Sequence, residues 1–309
     1  MKWDFNSVAI IGSGAIGLYY GGRLAEAGID VRFLARSDYD HLSKCGLEVE
    51  SIAGNFHLPN ISAFNKPEDI GPVDLVIVAW KATANDALAF VLPPLMHANT
   101  QVLTLQNGLG NCEQIAKIVD ADRVYGGLCF VCINRIAHAT IRHSAGGRMT
   151  IGKFSNGNLD NAERITQRFK AANIPATAVN DLAKAQWEKL IWNIPFNGLA
   201  VAEGGITTDM LLTNPIIETE IRTLMQEVIT ASAAQGVLLD QSLIESNIER
   251  TRPMGPYQPS TMIDFIEGRE LELGPIWQEP LRRGIAAGVK MPALQKLLTR
   301  IQAQLANRG

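Results

Sequence analysis

Short apolar runs alternate with stretches of helical spacing in the first half of the chain. The apolar runs predict four strands, at residues 8–11, 31–35, 73–80 and 101–105. Residues 16–27 have the spacing of an amphipathic helix, and residues 85–92 have it until Pro93 and Pro94 end the pattern. Strands that alternate with helices pair in parallel through right-handed crossovers, so this half predicts an open α/β sheet.

From about residue 180 the pattern changes to helical spacing almost throughout. Before that point, residues 124–133, 139–142 and 149–151 predict further strands at the edge of the sheet, with antiparallel pairing as one arrangement. After it, helices are predicted at residues 181–194, 214–235, 242–250, 261–267 and 292–306. Residues 251–259 contain three prolines and a glycine, which predict an ordered loop. The pattern therefore predicts an α/β domain at residues 1–179 and an all-helical domain at residues 180–309.

The composition excludes several classes of protein. A length of 309 residues suits about two domains at roughly 150 residues each. Lys and Arg number 28 against 31 Asp and Glu, and this balance argues against a nucleic-acid partner, because phosphate backbones need concentrated positive charge. The sequence has no apolar run of about 18 residues for a membrane span and no signal peptide at its start. A cytoplasmic protein that does not bind membranes is expected.

The cysteines raise the question of a redox or metal site. Cys129 and Cys132 are spaced Cys-x-x-Cys, but they lie in the apolar run 127–133, which predicts a buried strand. Neither a second such pair nor a histidine pair at ligand spacing accompanies them, so buried structural thiols are favoured over redox or metal use. No metal site is expected, and His143 is expected to be structural.

A glycine-rich segment between the first strand and the first helix predicts a nucleotide site. The segment is Gly12, Ser13, Gly14, Ala15, Ile16 and Gly17. Gly12 permits a tight turn, Gly14 lets the backbone approach a pyrophosphate, and Gly17 lets the helix pack closely on the strand. The N–H groups at the start of that helix then face the phosphates. These features predict a dinucleotide-binding domain of Rossmann type ahead of the all-helical domain.

The residue at the end of the second strand indicates which dinucleotide binds. An acidic residue there suits the ribose 2′-hydroxyl of NAD, whereas an arginine suits the 2′-phosphate of NADP. Here Arg36 occupies the position. A solvated Arg36 with Asp38 and Asp40 close by is the alternative, and NADP(H) is the favoured cofactor.

Motifs in both halves extend the comparison beyond the glycine segment. Together they resemble the ketopantoate (2-dehydropantoate) 2-reductase family from end to end. The motifs are the segment 12–17, Ala79-Trp80-Lys81-Ala82, Gln106-Asn107-Gly108-Leu109-Gly110, Trp187-Glu188-Lys189-Leu190 with Asn193 and Asn197, Ser260-Thr261-Met262-Ile263-Asp264, and Gly268-Arg269 with Glu272.

Three polar residues of the second half share one face of a helix. Lys189, Asn193 and Asn197 are spaced four residues apart, so they form a stripe. A cation and two amides on such a stripe suit an anionic ligand with a carbonyl group. The alternative is a solvated lysine with the two asparagines as caps or surface residues. Pro195 lies within this helix and predicts a kink near Ile191.

The resemblance implies roles for the remaining motif residues. Lys189 would donate the proton, and Glu272 would contact the substrate and partner Lys189. Asn107 would lie near the nicotinamide ribose and the substrate, Ser260 would bind the substrate carboxylate, and Lys81 would approach the cofactor phosphate or ribose. The alternatives are a surface glutamate for Glu272 and a turn residue for Asn107. For Ser260 the alternative is a helix cap, and for Lys81 it is a solvated lysine.

The chain departs from the family pattern at three places. They are Thr83-Ala84 after the lysine motif, Cys129-Phe130 where two threonines are common, and Gly274-Pro275 after Glu272. The last is expected to bend the helix that carries Glu272. These departures leave the reaction class better defined than the substrate.

The implied activity is the NADPH-dependent reduction of a small branched 2-oxo acid. Conversion of 2-dehydropantoate to (R)-pantoate in pantothenate biosynthesis is favoured, with the ligand in a cleft between the two domains and Lys189 as the proton donor. The alternatives are a related 2-hydroxy-acid or opine-type dehydrogenase and a non-catalytic NADP(H)-binding redox sensor. Lys189 and Glu272 together favour an enzyme, and the apolar helices after residue 210 are one basis for a homodimer.

Overall fold

A computed structural model describes residues 3–155 and 157–308, and its contacts divide the chain into two compact units. Unit 1 consists of Met1–Gln106 and Asn111–Leu182, and unit 2 consists of Asn107–Gly110 and Ala183–Gly309. The short segment Asn107–Gly110 therefore packs with the second half of the chain, although it lies within the first half of the sequence. The predicted functional division between the two halves remains a prediction.

Unit 1 is built on one mixed sheet, which contains the ten strands of the described residues. Their order across the sheet is β4-β3-β9-β8-β7-β6-β1-β2-β5, and β10 pairs with β9. The strands are β1 (Ser7–Ile11), β2 (Asp30–Leu34), β3 (Leu47–Ser51), β4 (Phe56–Leu58), β5 (Ser62–Phe64), β6 (Leu75–Val78), β7 (Gln101–Thr104), β8 (Val124–Ala137), β9 (Thr140–Lys153) and β10 (Ala176–Val179). The centre from β8 to β5 pairs in parallel, which confirms the α/β prediction.

The helices of unit 1 connect and cover these strands. They are α1 (Ala15–Glu26), α2 (Tyr39–Cys45), α3 (Pro67–Ile70), α4 (Leu88–Val91), α5 (Asn111–Ile115) and α6 (Asp160–Ala171), with 3-10 turns at Ala82–Ala87, Pro93–Leu95 and Ala121–Arg123. The helix predicted at 85–92 is thus a 3-10 turn followed by the single turn of α4. β1, β6 and β7 are buried almost throughout, which explains their continuous apolar sequences.

The largest difference from the predicted strands is at the edge of the sheet. β8 and β9 form one long antiparallel hairpin, in which the strands predicted at 139–142 and 149–151 are a single element. Gly146 and Gly147 interrupt its apolar pattern and divide it in the sequence. β3, β4, β5 and β10 were not predicted, because they are partly exposed and lack the continuous apolar runs of β1, β6 and β7.

Unit 2 is helical, as predicted. Its elements are α7 (Leu182–Ala202), α8 (Thr208–Thr213), α9 (Pro215–Ala234), α10 (Leu243–Thr251), α11 (Ser260–Ile266), a π-helical turn (Gly274–Gln278), α12 (Glu279–Ala286) and α13 (Pro292–Ala306), with a 3-10 turn at Arg252–Met254 within the predicted loop. The buried apolar side chains of α7, α9 and α13 form its core.

The helix α7 runs eight residues beyond its predicted end at residue 194, with Pro195 inside it. The indole Nε1 of Trp277 donates a hydrogen bond to the carbonyl oxygen of Ile194 at 3.0 Å. This approach needs Gly198, because a Cβ there would lie 2.8 Å from Trp277 Nε1 and 2.7 Å from Leu297 Cδ2. The absent side chain of Gly198 therefore lets two core residues pack directly on α7.

We expect Gly198→Ala to destabilise unit 2. The added methyl group overpacks the core at a cost of about 1–3 kcal/mol, which exceeds the roughly 1 kcal/mol that alanine gains over glycine in a helix. Thermal unfolding followed by tryptophan fluorescence measures the effect. Thr299→Ala, at an exposed position of α13, is the control and should not lower the melting temperature. An unchanged or higher melting temperature for Gly198→Ala would contradict this packing.

Candidate active site

Two glycines of the segment 12–17 are required by the fold of unit 1 itself. Gly12 has a φ of 107°, and a Cβ there would lie 2.6 Å from the backbone nitrogen of Trp80. A Cβ at Gly17 would lie 2.1 Å from the carbonyl oxygen of Gly12. The turn after β1 and the packing of α1 on the sheet therefore exclude a side chain at both positions.

Gly14 differs, because nothing in the protein fills the space beside it. It is the exposed N-cap of α1, its backbone is extended, and a Cβ there would meet no atom within 4 Å. The neighbouring Ser13, Ala15 and Ile16 are half-buried. Backbone N–H groups at a helix start without a side-chain cap are available to an anion. The open space at Gly14 therefore fits the pyrophosphate of a dinucleotide.

Arg36 follows β2 and is exposed. Within residues 3–155 and 157–308, its side chain forms no ion pair. Asp38 pairs elsewhere, with Arg135 and His138, and its side chain is fully buried. Arg36 is therefore available to an external anion at the carboxyl end of β2, the position that distinguishes the two dinucleotides.

A network of amide side chains joins the residues that follow β6 and β7. The side-chain oxygen of Asn85 accepts hydrogen bonds from Trp80 Nε1 at 3.0 Å and Gln106 Nε2 at 2.7 Å. Asn85 also donates to Asn111 Oδ1 at 3.1 Å. Asn85 was missed from sequence, since a single buried amide leaves no periodic signal. The network holds Trp80, which precedes the half-buried Lys81.

In unit 2, residues from two distant motifs meet. Lys189 Nζ on α7 donates a hydrogen bond to Asn107 Oδ1 at 2.7 Å. The turn that carries Asn107 is held by the backbone of Pro275, whose carbonyl oxygen accepts the N–H of Leu109 at 2.9 Å. Gly108 permits this approach, because a Cβ there would lie 2.2 Å from the same oxygen. Pro275, one of the departures from the family pattern, thus positions Asn107.

The two asparagines that follow Lys189 on α7 have different surroundings. Asn197 is 3% exposed, and its Oδ1 accepts the backbone N–H of Thr261 at 3.1 Å, which anchors the first turn of α11. Asn193 is 8% exposed, and no hydrogen bond from the part of the chain that the structure describes reaches its side chain. Its amide atoms are not among the buried polar atoms of the described residues that lack a partner, so they remain accessible to a ligand group. Substrate binding by both residues remains a prediction.

Two expectations about the segment 260–275 change. Ser260 is the exposed first residue of α11, and the N-cap is Pro259, so the alternative of Ser260 as a helix cap is wrong. Glu272 is half-buried in the segment between α11 and the π-helical turn, so it is not carried by a helix that Gly274 and Pro275 bend. Pro275 instead lies in the first turn of the next helical segment, where its fixed φ and missing N–H are tolerated.

The remaining polar residues serve the fold. His143 is 2% exposed; its Nδ1 lies 2.9 Å from Ser51 Oγ and its Nε2 lies 3.2 Å from two carbonyl oxygens. Burial lowers the pKa of His143. Neither Cys129 nor Cys132 forms a disulfide in the described part of the chain. Among the described residues, no group of three potential ligands for a metal ion occurs, and every helix is too short or too polar to cross a bilayer.

Two family models match the chain in succession. The model described as Ketopantoate reductase PanE/ApbA matches residues 8–156, and the one described as Ketopantoate reductase PanE/ApbA C terminal matches residues 181–305. A 2-dehydropantoate 2-reductase from a Nostoc species is 39% identical over 94% of this chain and 92% of its own length. The protein is therefore an oxidoreductase that acts on a CH–OH group. More particularly, the chain belongs to the ketopantoate reductase family, which confirms the resemblance drawn from the motifs.

Solved structures agree with this assignment. A 2-dehydropantoate 2-reductase from Geobacter metallireducens has a TM-score of 0.94 and 39% identity, with 96% of this chain and 99% of that chain covered. One from Methylococcus capsulatus has a TM-score of 0.90 and 27% identity, with 97% of each chain covered. A D-mandelate dehydrogenase solved with NADH and anilino(oxo)acetate has a TM-score of 0.90 at 20% identity, with 97% and 99% covered, and this likeness concerns the fold alone. Since the same fold occurs in enzymes named for different substrates, individual side chains rather than the fold must select the substrate.

The contrast between the glycines yields a test of the nucleotide site. Gly14→Ala should leave the melting temperature unchanged, because its methyl group enters open space, but should weaken NADPH binding by about tenfold or more, because it meets the pyrophosphate. Fluorescence titration with NADPH and thermal unfolding measure the two effects. Gly17→Ala is the contrasting variant and should lower the melting temperature. Unchanged NADPH affinity in Gly14→Ala would remove the proposed site.

Proposed function

We propose that this protein reduces a small branched 2-oxo acid with NADPH, and that the acid is 2-dehydropantoate. The product would be (R)-pantoate, the intermediate of pantothenate biosynthesis. The observation that carries the proposal is the 2.7 Å hydrogen bond between Lys189 and Asn107, which assembles a proton donor from two motifs 82 residues apart. The name of the Nostoc relative, at 39% identity, supports the substrate.

The cofactor site lies in unit 1. Residues 12–17 would hold the pyrophosphate, Arg36 the 2′-phosphate, and Lys81 the phosphate or ribose region. The open space at Gly14 and the exposed guanidinium of Arg36 fit these groups. When bound, NADPH supplies the hydride for the carbonyl carbon. The planar guanidinium of Arg36 matches a phosphate dianion, which supports NADPH over NADH.

Lys189 supplies the proton. As the ketone carbon gains the hydride, negative charge develops on the carbonyl oxygen, and the ammonium of Lys189 stabilises this charge and then transfers one proton to it. Lys189 becomes a neutral amine and regains a proton from water. Asn107 accepts a hydrogen bond from Lys189 Nζ and so fixes the direction of the ammonium.

The substrate groups match the other residues of unit 2. Asn193 lies on the same stripe of α7 as Lys189, and its amide would bind a substrate oxygen. Ser260, exposed at the start of α11, would bind the substrate carboxylate. Glu272 would accept a hydrogen bond from the substrate hydroxyl. Asn197 already uses its carbonyl oxygen to hold α11, so its contribution is limited to its NH2 group or to the position of Ser260.

Turnover measured on a panel of acids tests the reaction. NADPH absorbance is followed with 2-dehydropantoate, 2-oxoisovalerate, pyruvate and phenylglyoxylate, and the highest kcat/KM is expected for 2-dehydropantoate. A higher kcat/KM for another acid would identify that acid as the substrate in place of 2-dehydropantoate, and the protein would still be a 2-oxo acid reductase. NADPH binding without turnover on any acid would favour the redox sensor.

A homodimer stays a prediction. Unit 2 exposes the apolar side chain of Ile216 on α9, which is one observation in its favour.

Lys189→Met should lower kcat by roughly 10²–10⁴-fold, the usual contribution of a positioned general acid. The dissociation constant of NADPH should not change, because Lys189 is not part of the nucleotide site. Lys184→Met is the matched control, since Lys184 is exposed on the same helix, and it should retain wild-type kcat. Wild-type kcat in Lys189→Met would exclude Lys189 as the proton donor.

Arg36→Ala tests the choice of cofactor. The KM for NADPH should rise about tenfold, since a charge-assisted contact with the 2′-phosphate is lost, and the KM for NADH should stay the same. Because Arg36 is exposed, the melting temperature should also be unchanged. Equal changes for both dinucleotides would show that Arg36 does not read the 2′-phosphate.

A further inference from the structure

A fully buried carboxylate lies just beyond the end of β2. The side chain of Asp38 is 0% exposed, although its neighbours Arg36 and Ser37 are exposed. One carboxylate oxygen accepts a hydrogen bond from Arg135 Nη1 at 2.6 Å, and the other lies 2.8 Å from His138 Nδ1. Asp38 thus ties two basic side chains to the segment that begins with Arg36.

Both partners of Asp38 come from the far end of the β8–β9 hairpin. The strands are joined by His138 and Ala139, and Ala139 has a φ of 47° and is buried. The carbonyl oxygen of Ala139 accepts the N–H of Glu48 at 3.0 Å, which attaches this end of the hairpin to β3. The hairpin end is therefore a fixed element.

The basic side chains remain accessible in this arrangement. The side chain of Arg135 is 40% exposed and that of His138 is 63% exposed. Asp38 engages Nη1 of Arg135, and in residues 3–155 and 157–308 no other side chain accepts a hydrogen bond from this guanidinium. Because a guanidinium carries five N–H donors, Arg135 retains donors for a ligand.

The location of Asp38 places Arg135 near Arg36. Two residues of extended chain span at most about 7 Å, and a turn shortens this distance, since the N–H of Tyr39 bonds to the carbonyl oxygen of Arg36 at 3.3 Å. The carboxyl end of β2 is where a dinucleotide presents its 2′ substituent. A phosphate dianion there is best matched by more than one cation.

We propose that Arg135 is a second phosphate-reading residue for the 2′-phosphate of NADPH, and that Asp38 is the positioning residue that holds it there. This inference rests on the proposed cofactor. It explains why a carboxylate is buried at a place where a bare negative charge would oppose the phosphate: Asp38 is neutralised by the guanidinium that it orients.

The test separates the 2′-phosphate from the rest of the cofactor. Calorimetric titrations with 2′,5′-ADP and 5′-AMP give the affinity for nucleotides with and without this phosphate. Arg135→Gln should weaken binding of 2′,5′-ADP by about tenfold, the value of one charge-assisted hydrogen bond, and should leave 5′-AMP unchanged. Arg142→Gln is the control, because Arg142 lies on the same hairpin and also pairs with a carboxylate, that of Glu50 on β3. This variant should bind both nucleotides as the wild type does.

Arg135→Gln leaves the carboxylate of Asp38 buried without this cation, which threatens folding. The double variant Asp38→Asn, Arg135→Gln removes both charges, keeps the net charge of the protein, and should show the same tenfold loss for 2′,5′-ADP. Wild-type affinity in the folded double variant, with weakened binding in Arg36→Ala, would overturn the role of Arg135 and keep the proposed cofactor. Equal affinity of the wild-type protein for 2′,5′-ADP and 5′-AMP would overturn both.

Discussion

The hydrogen bond from the N–H of Leu109 to the carbonyl oxygen of Pro275 is the contact on which the candidate site of unit 2 depends. It fixes the turn Asn107–Gly110 among helices that follow it in the chain by more than seventy residues. That turn then offers Asn107 Oδ1 to the ammonium of Lys189. Since Gly108 leaves no room for a side chain beside Pro275, the position of the proposed proton donor depends on a backbone contact rather than on a side-chain pair.

Glycines in this protein have two physical roles that the sequence does not distinguish. Gly12, Gly17 and Gly108 are required by the protein, since a Cβ at each would overlap backbone atoms of unit 1 or unit 2. Gly14 faces open space, so no contact within the protein requires a glycine there. The proposed dinucleotide explains the glycine, because its pyrophosphate would occupy that space. Within one motif, two glycines are therefore required by the fold, and the third is explained by the proposed ligand.

The apolar and helical patterns in the sequence predicted most strands and helices, whereas the bounds of some elements depend on individual tertiary contacts. Parallel strands β1, β6 and β7 are apolar because both faces are buried, so their sequences identify them. Strand β9 was predicted as two separate strands because Gly146 and Gly147 interrupt its alternation. The helix predicted at 181–194 ended eight residues before the observed end of α7, because helical spacing alone does not show the tertiary packing that supports the helix around and beyond Pro195. Trp277 and Leu297 provide that packing.

The sequence by itself determined the class of fold, the family, and the side chains proposed to act, because residue types at fixed spacing along a strand or helix follow from local geometry. Tertiary structure alone decided which of these residues meet. It brought Asn107 to Lys189, gave the carbonyl oxygen of Asn197 to α11, and paired Asp38 with Arg135 rather than with the adjacent Arg36. Each of these contacts joins residues more than sixty positions apart, and such contacts depend on three-dimensional packing that no local pattern encodes.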